Sequence, residues 1–123
     1  FKSKNMGNGW ETKRRRGVGF DWIIIKLGKP GFIEKLDIQT HYFKGNFPSH
    51  CSVQGFFSKK KININTIVNT SKNWEYLIKH LELKAHSSTK KQLSKKLKKI
   101  NYLKLNIYPD GGISRIRSLG NIA

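Results

Sequence analysis

Hydrophobic and polar residues alternate along several short stretches of this chain, which indicates β-strands. The first apolar run, Trp22–Leu27, is rich in β-branched residues and ends at a Gly/Pro-rich stretch, residues 28–31. Such a run, bounded by turn residues, predicts a buried strand. The next stretch, Phe32–Phe43, alternates, so its side chains are expected to divide between two faces. One face is predicted to hold Leu36, Ile38 and Thr40, and the other Lys35, Asp37, Gln39 and His41.

Two later stretches carry the same signal. Cys51–Phe57 predicts a third strand, and Tyr102–Tyr108 predicts a further one. In the latter, alternation places Leu103, Leu105 and Ile107 inward and Lys104, Asn106 and Tyr108 outward.

The segment after Tyr108 predicts a turn and a returning strand. In Pro109–Gly112, proline presets φ, aspartate caps locally and glycine supplies positive φ. The following strand, Ile113–Leu119, would place Arg115 and Arg117 on the same face, because successive side chains of a strand alternate.

Three segments are harder to interpret. Lys59–Ile67 predicts a lysine-rich turn that leads into a short strand. Asn73–Lys84 has apolar residues at helical spacing, which alone predicts a helix. Ser87–Lys99 carries six lysines and no acid, which predicts a solvated loop or a short surface helix.

Together these elements predict one all-β domain with little helix. Five to seven short strands punctuated by Gly and Pro are typical of an antiparallel β-sandwich. A chain of 123 residues is long enough for a single sizeable core, and no internal repeat or linker interrupts it.

The net charge of +18 changes this picture less than it first suggests. Such a charge is typical of nucleic-acid binding. However, 20 of the 25 cations are lysines, and Lys, Asn and Ile are the residues that AT-rich codons favour. The arginines occur at two places only, residues 14–16 and residues 115 and 117. This focusing favours a local use of the planar guanidinium over a general affinity for nucleic acid.

Cysteine content and hydropathy limit the compartment. The single cysteine, Cys51, fits a reducing compartment, so we expect a cytoplasmic location. No apolar stretch is long enough to cross a bilayer, and no secretory signal is visible, so no membrane partner is expected. The chain begins at Phe1 without a methionine, and we expect further sequence upstream.

Common catalytic motifs are missing from the sequence. There is no G-x-S-x-G nucleophile motif and no P-loop, and four scattered histidines with one cysteine do not suit structural zinc. Three polar segments remain: GWETKRRRGVGFDW (residues 9–22), THYFKGNFP (40–48) and LNIYPDGGISRIR (105–117).

In a sandwich, these three segments could meet at one rim. Arginine, glutamate, histidine, lysine and asparagine would then suit a small anionic ligand that contains amides. The alternative is a structural network of ion pairs, in which residues 14–16 or Arg115 and Arg117 pair with Glu11, Asp21 or Asp110.

The same segments resemble the signature blocks of the allantoicase (allantoate amidinohydrolase) family. The resemblance rests on MGNGWETKRRRGVGFDWIIIKLGKPGFI, DIQTHYFKGNFPSHCSV and LKLNIYPDGGISRIRSLG, in that order. The matched blocks cover about two thirds of the chain. The sequence departs from the family pattern at Asn8, where the family has aspartate, at Lys104, where it has arginine, and in the order His41-Tyr42-Phe43.

The resemblance implies a jelly-roll β-sandwich of the galactose-binding-domain type. Residues 1–123 would form a single repeat, more like the second, of a longer two-repeat chain. The family segment that matches the region of Trp74 is extended, which argues against a helix over Asn73–Lys84.

The resemblance also implies an amidine hydrolase that converts allantoate to ureidoglycolate and urea in allantoin degradation, without a covalent nucleophile. At the motif positions, Glu11 and His41 are the expected catalytic residues. The expected substrate-binding residues are Arg14, Arg15, Lys44, Asn46, Asp110, Arg115 and Arg117.

Cofactor and partners follow from the same resemblance. Some members of the family depend on a divalent metal, but the sequence requires none; His41, Glu11, Asp21 and Asp110 are the available ligands. The expected partners are a small ureide and further copies of the chain, with no nucleic acid. Two rival interpretations stay open: a non-catalytic jelly-roll module that binds carbohydrate or nucleic acid, and a structural repeat that supports an active site elsewhere.

Overall fold

The computed structural model describes residues 10–11, 20–93 and 99–122. Within these ranges, eight strands and one helix follow one another along the chain. They are β1 (Trp10–Glu11), β2 (Asp21–Gln39), β3 (His50–Phe56), α1 (Ile64–Ser71), β4 (Glu75–Glu82), β5 (Ser88–Gln92), β6 (Lys99–Tyr108), β7 (Gly112–Ile113) and β8 (Arg115–Ile122). No helix of the described segments is long and apolar enough to cross a membrane.

Strand β2 organises the sheet because it changes partners half-way along. Its first part pairs with β6, from Asp21 to Lys26. Its second part pairs with β8 on one edge and with β5 on the other, up to Gln39. The pairing with β6 shifts register between Lys26 and Gly31, where the Gly/Pro stretch lies. The sequence predicted two strands separated by this stretch, and the structure corrects that prediction to one continuous strand.

The strand order β4-β3-β6-β2-β5, with β8 also on β2, is antiparallel throughout. Strands β1 and β7 form a separate two-stranded ladder. This arrangement confirms the predicted antiparallel jelly-roll sandwich with little helix.

The core is built from the inward faces that alternation predicted. Leu36, Ile38, Leu103 and Ile107 are fully buried. They belong to one cluster with residues from β3, β4 and β8. Thr40, which was predicted to share a face with Leu36 and Ile38, is also buried.

The opposite face of β6 was predicted to be outward and is buried as well. Asn106 and Lys104 are 2% and 5% exposed. Lys104 Nζ donates to Ser71 Oγ at the end of α1, at 2.9 Å, so the helix end covers this part of the sheet. Asp37 is likewise buried, although alternation placed it on the face opposite Leu36 and Ile38. Alternation identifies which side of a strand a residue occupies, but it does not show what lies above that side.

Four other segments differ from what their local sequence pattern predicted. Residues 59–67 lead into helix α1, not a strand, because Asn63 caps the helix by accepting a hydrogen bond from Thr66 N at 2.8 Å. Residues 73–84 contain strand β4, as the family resemblance implied and the helical spacing did not. Register shifts opposite Val53 explain the misleading spacing, since they disturb the two-residue alternation.

Strand β5 was predicted as a loop or surface helix. Four of its five residues are exposed, so it carries no hydrophobic pattern. Its strand character comes from backbone pairing with residues 35–39 of β2. The predicted strand at residues 113–119 is also interrupted: Ser114 separates β7 from β8 and donates to Gln39 O through both its backbone N and its Oγ.

Cys51 provides a direct test of the core. Burial raises the pKa of its thiol from 9.0 to about 12, because the interior disfavours the thiolate. At pH 8 the reactive thiolate is then about a thousand-fold rarer than for an exposed cysteine, at tenfold per pKa unit. We expect iodoacetamide to modify Cys51 in the native full-length protein at least about 1,000-fold more slowly than in urea, as followed by mass spectrometry of the Cys51 peptide.

A cysteine introduced at exposed Lys91 serves as the matched control and should react as a free thiol. Comparable rates for Cys51 and the Lys91→Cys thiol in the native protein would contradict the buried assignment.

The raised pKa of Cys51 also makes the stability of the fold depend on pH. The contribution of this thiol to the free energy of unfolding is fully present below about pH 9 and declines as the pH rises towards 12, because the unfolded chain releases the proton first.

Candidate functional site

The turn after β6 packs tightly on the loop after β2. Gly112 N donates to Asn46 O at 2.9 Å. Gly111 has φ +129°, and a Cβ there would lie 2.6 Å from the carbonyl carbon of Phe47. A Cβ on Gly112 would lie 2.3 Å from the ring of Phe43. The two glycines therefore allow this contact, and the second and third signature segments meet here.

The first segment reaches the same place through β1. Trp10 pairs with Ile113, and Glu11 pairs with Gly112, in an antiparallel ladder. Gly112 thus stands between the backbone of Glu11 and the backbone of Asn46. We call this meeting point of the three segments the rim.

The predicted site residues divide into three groups. The side chain of Glu11 and all of Arg14 and Arg15 lie outside the described residues. At the rim, His41 is half-buried, and Lys44 and Asn46 are exposed on the same loop. Asp110 is half-buried in the turn.

The arginines of β8 lie along a strand that leads away from the rim. Arg115 pairs with Gln39, the last residue of β2, and Arg117 pairs with Asp37. Both are half-buried and on the same face, as predicted. Two residues of a strand span about 7 Å, so Arg115 is nearer the rim than Arg117.

The acid opposite these arginines was not among those proposed as their partners. The Asp37 carboxylate accepts hydrogen bonds from Ser88 Oγ at 2.6 Å and from Gln39 Nε2 at 2.8 Å. It lies opposite Arg117 on one side and Lys90 on the other. Asp37 is therefore a buried carboxylate held by Ser88 and Gln39, with a cationic residue opposite it on each neighbouring strand.

His86 is a rim residue that sequence reasoning missed. Its ring lies 5.2 Å from the ring of His41, edge to face at 84°. Its Nδ1 accepts a hydrogen bond from Tyr42 N at 2.8 Å. The sequence offered only a histidine in a polar stretch, because the contact joins residues 44 positions apart.

The described residues do not fit a metal centre. They contain no group of three His, Cys, Asp or Glu side chains that could hold an ion. Because Nδ1 of His86 accepts a hydrogen bond, the neutral ring carries its proton on Nε2, and neither nitrogen has a lone pair for a metal.

A row of aromatic rings lies across the ends of β3 and β6, where His50 pairs with Tyr108. Tyr108 lies 5.2 Å from Phe20 and 4.7 Å from His50, and His50 lies 4.5 Å from His80. Burial lowers the pKa of His50, and the neighbouring His80 lowers it further, while Glu82 opposes the shift. His50 is therefore held towards its neutral form, which suits stacking against Tyr108.

Comparison with known proteins finds similarity to allantoicases. A family model described as an allantoicase repeat matches residues 1–123. A probable allantoicase of Pseudomonas fluorescens strain SBW25 is 45% identical over 120 residues, covering 97% of this chain and 36% of the relative. One of Acinetobacter baumannii strain AYE is 43% identical over 122 residues, covering 97% and 35%. The chain thus spans about a third of the length of these curated relatives.

Solved structures agree. The crystal structure of allantoicase from Saccharomyces cerevisiae superposes with a TM-score of 0.76 at 34% identity, covering 94% of this chain and 32% of that one. A Clostridium perfringens structure described as CpGH89CBM32-6 superposes with a TM-score of 0.62 at 17% identity, covering 96% and 80%. At that identity the second likeness concerns the fold alone.

The packing at Gly111 can be tested by substitution. Gly111→Ala places a Cβ against the backbone at residues 47 and 48 and strains a positive φ. We expect a loss of about 1–3 kcal/mol in the free energy of unfolding, measured by urea denaturation of the full-length protein. Gly28→Ala is the control, since a Cβ at Gly28 meets nothing within 4 Å, and it should stay within about 0.5 kcal/mol of the parent. Equal stability of the two variants would show that the turn does not pack as described.

Proposed function

Since this chain belongs to the allantoicase family, we propose that it forms one repeat of a longer two-repeat enzyme and takes part in the hydrolysis of allantoate to ureidoglycolate and urea. The family match across residues 1–123 supports the assignment to a single repeat domain. The activity belongs to the whole enzyme, of which this chain corresponds to about a third.

The observation that carries the proposal is the meeting of the three signature segments at the rim. The β1–β7 ladder and the bond from Gly112 N to Asn46 O hold segments that are distant in the sequence at one place. A structural network of ion pairs would not need glycines packed against the loop that carries His41, Lys44 and Asn46.

Substrate binding follows from charge and hydrogen-bonding type. Allantoate presents a carboxylate and two ureido groups on one carbon. Arg115, at the rim end of β8, or a cation of residues 14–16 would bind the carboxylate, because a guanidinium grips it with two hydrogen bonds. Lys44 and Asn46 would donate to ureido oxygens, and Asp110 would accept from ureido N–H groups.

The chemical step is cleavage of one carbon–nitrogen bond at the central carbon. The oxygen of water becomes bonded to that carbon, and the nitrogen of the departing urea gains a proton. Glu11 or His41 would supply that proton or remove one from the water. No covalent intermediate with the protein is required.

The setting of the reaction is part of the proposal. A single buried cysteine that stays a thiol suits a reducing compartment, so we place the enzyme in the cytoplasm. Assembly into a homo-oligomer stays a prediction of the family resemblance, and sedimentation of the full-length protein would measure it.

The activity is tested by urea release from allantoate with the full-length protein. We expect the Arg115→Ala, Glu11→Gln double variant to lower kcat/KM by at least about 100-fold, since it removes a carboxylate clamp and an acid–base group. Lys79→Ala removes an exposed cation from edge strand β4, which lies in none of the three signature segments, and it should keep the parent activity.

The outcomes separate the alternatives. Full activity in the double variant would rule out the site assignment while leaving the reaction in place. No urea from the parent protein would overturn the function. Oligonucleotide binding that weakens steeply with salt would then favour a binding module.

A further inference from the structure

His41 lies between two anchored residues of the rim. On its N-terminal side, Thr40 N donates to Ser87 O at 2.7 Å. On its C-terminal side, Tyr42 N donates to His86 Nδ1 at 2.8 Å. Both anchors belong to the loop between β4 and β5, so that loop fixes the backbone of His41 on either side.

The two anchors differ in what they require of the sequence. The bond from Thr40 N is made to a backbone carbonyl, which any residue at position 87 would supply. The bond from Tyr42 N is made to a side-chain nitrogen, and it depends on the residue at position 86. Of the pair, this second anchor is the one that a single substitution removes.

The backbone at the second anchor has an uncommon conformation on both sides. Tyr42 has φ +74° and His86 has φ +44°, a left-handed region that non-glycine residues seldom occupy. His86 N donates to Phe43 O at 3.0 Å, so the two loops are joined in both directions. Tyr42 is 61% exposed, and its ring lies 6.0 Å from the ring of His86, edge to face. The turn is also closed by Phe43 N, which donates to Thr40 O at 2.9 Å.

The same hydrogen bond fixes the orientation of the imidazole. With Nδ1 occupied as an acceptor, the neutral ring carries its proton on Nε2. The ring then lies edge to face with His41, at 5.2 Å between centroids. His86 therefore sets both the backbone next to His41 and one wall of the space around its ring.

We propose that His86 is a positioning residue of the rim, which holds the turn at Tyr42 through Nδ1 and thereby places His41. The catalytic consequence rests on the proposed function, whereas the anchoring itself does not. His86 acts through His41 and does not take part in the chemical step.

The proposal predicts a difference between two substitutions that share the same backbone freedom. Asparagine and glycine both tolerate positive φ, so neither variant is confounded by strain at position 86. Asparagine keeps an acceptor, because its Oδ1 lies two bonds beyond Cβ, as Nδ1 of histidine does. Glycine keeps none.

Hydrogen exchange of the Tyr42 amide gives a readout that does not depend on activity. The full-length protein is labelled with ¹⁵N-tyrosine, which leaves four tyrosine signals from this chain, and Tyr42→Phe identifies the signal of interest. We expect His86→Gly to speed exchange of the Tyr42 amide by about tenfold, as loss of one hydrogen bond would, and His86→Asn to stay near the parent rate. His80→Gly is the control: it changes an exposed histidine of β4 whose ring stacks on His50, and it should leave the rate unchanged.

Urea release from allantoate then tests the consequence for His41. We expect His86→Gly to lower kcat by at least about tenfold with a smaller change in KM, and His86→Asn to restore most of it. Unchanged Tyr42 exchange in His86→Gly, or equally fast exchange in His86→Asn, would overturn the proposal. If the parent protein releases no urea, the proposed function fails, and the exchange rates of the same variants still decide whether His86 holds the turn.

Discussion

The structure depends on one strand that pairs with two sets of partners. Because β2 leaves β6 and continues between β5 and β8, its apolar residues contribute to one core along its whole length. Its last residue, Gln39, also receives the hydrogen bonds of Ser114, at the break between β7 and β8. The end of β2 thus determines where the loop with His41 starts and where the third signature segment turns.

The inward faces of β2 and β6 could be read from the sequence because alternation is a local property. Leu36, Ile38 and Leu105 are examples, since alternation placed them on the inward faces and all three are buried. Helix α1 and strand β5 could not be read in the same way. The helix depends on a single cap at Asn63, and β5 depends on backbone pairing that its exposed side chains do not signal. The buried state of Asn106 depends on partners from β3, 52 and 54 residues away in the chain, which no local pattern encodes.

The candidate site likewise contains residues that the sequence predicted and residues that it did not. Glycines after a Pro-Asp pair predicted the turn, and the positive φ of Gly111 confirms the reason for glycine there. His41, Lys44 and Asn46 were singled out by the polar segment that they share and by the family resemblance, not by periodicity. Asp37 and His86 were missed because their roles arise only when separate strands and loops meet. Charge was the least informative signal, since lysine is spread over the chain while Asp37, one of the few acids, is buried.

On the face of the sheet that the end of α1 covers, a chain of hydrogen bonds joins the helix end to β3 and β6. The donors and acceptors of this chain can be arranged in only one direction. Gln54 Nε2 donates to the carbonyls of Lys72 and Trp74, so its oxygen faces the next strand and receives Asn106 Nδ2. An amide can be turned over without changing its shape, but here two backbone carbonyls, which can only accept, decide the orientation of Gln54 and then of Asn106. The carbonyl of Lys72, at the end of α1, therefore helps to fix which way the amide of Asn106 in β6 points. A substitution at the helix end would change the hydrogen bonding of Asn106 as well.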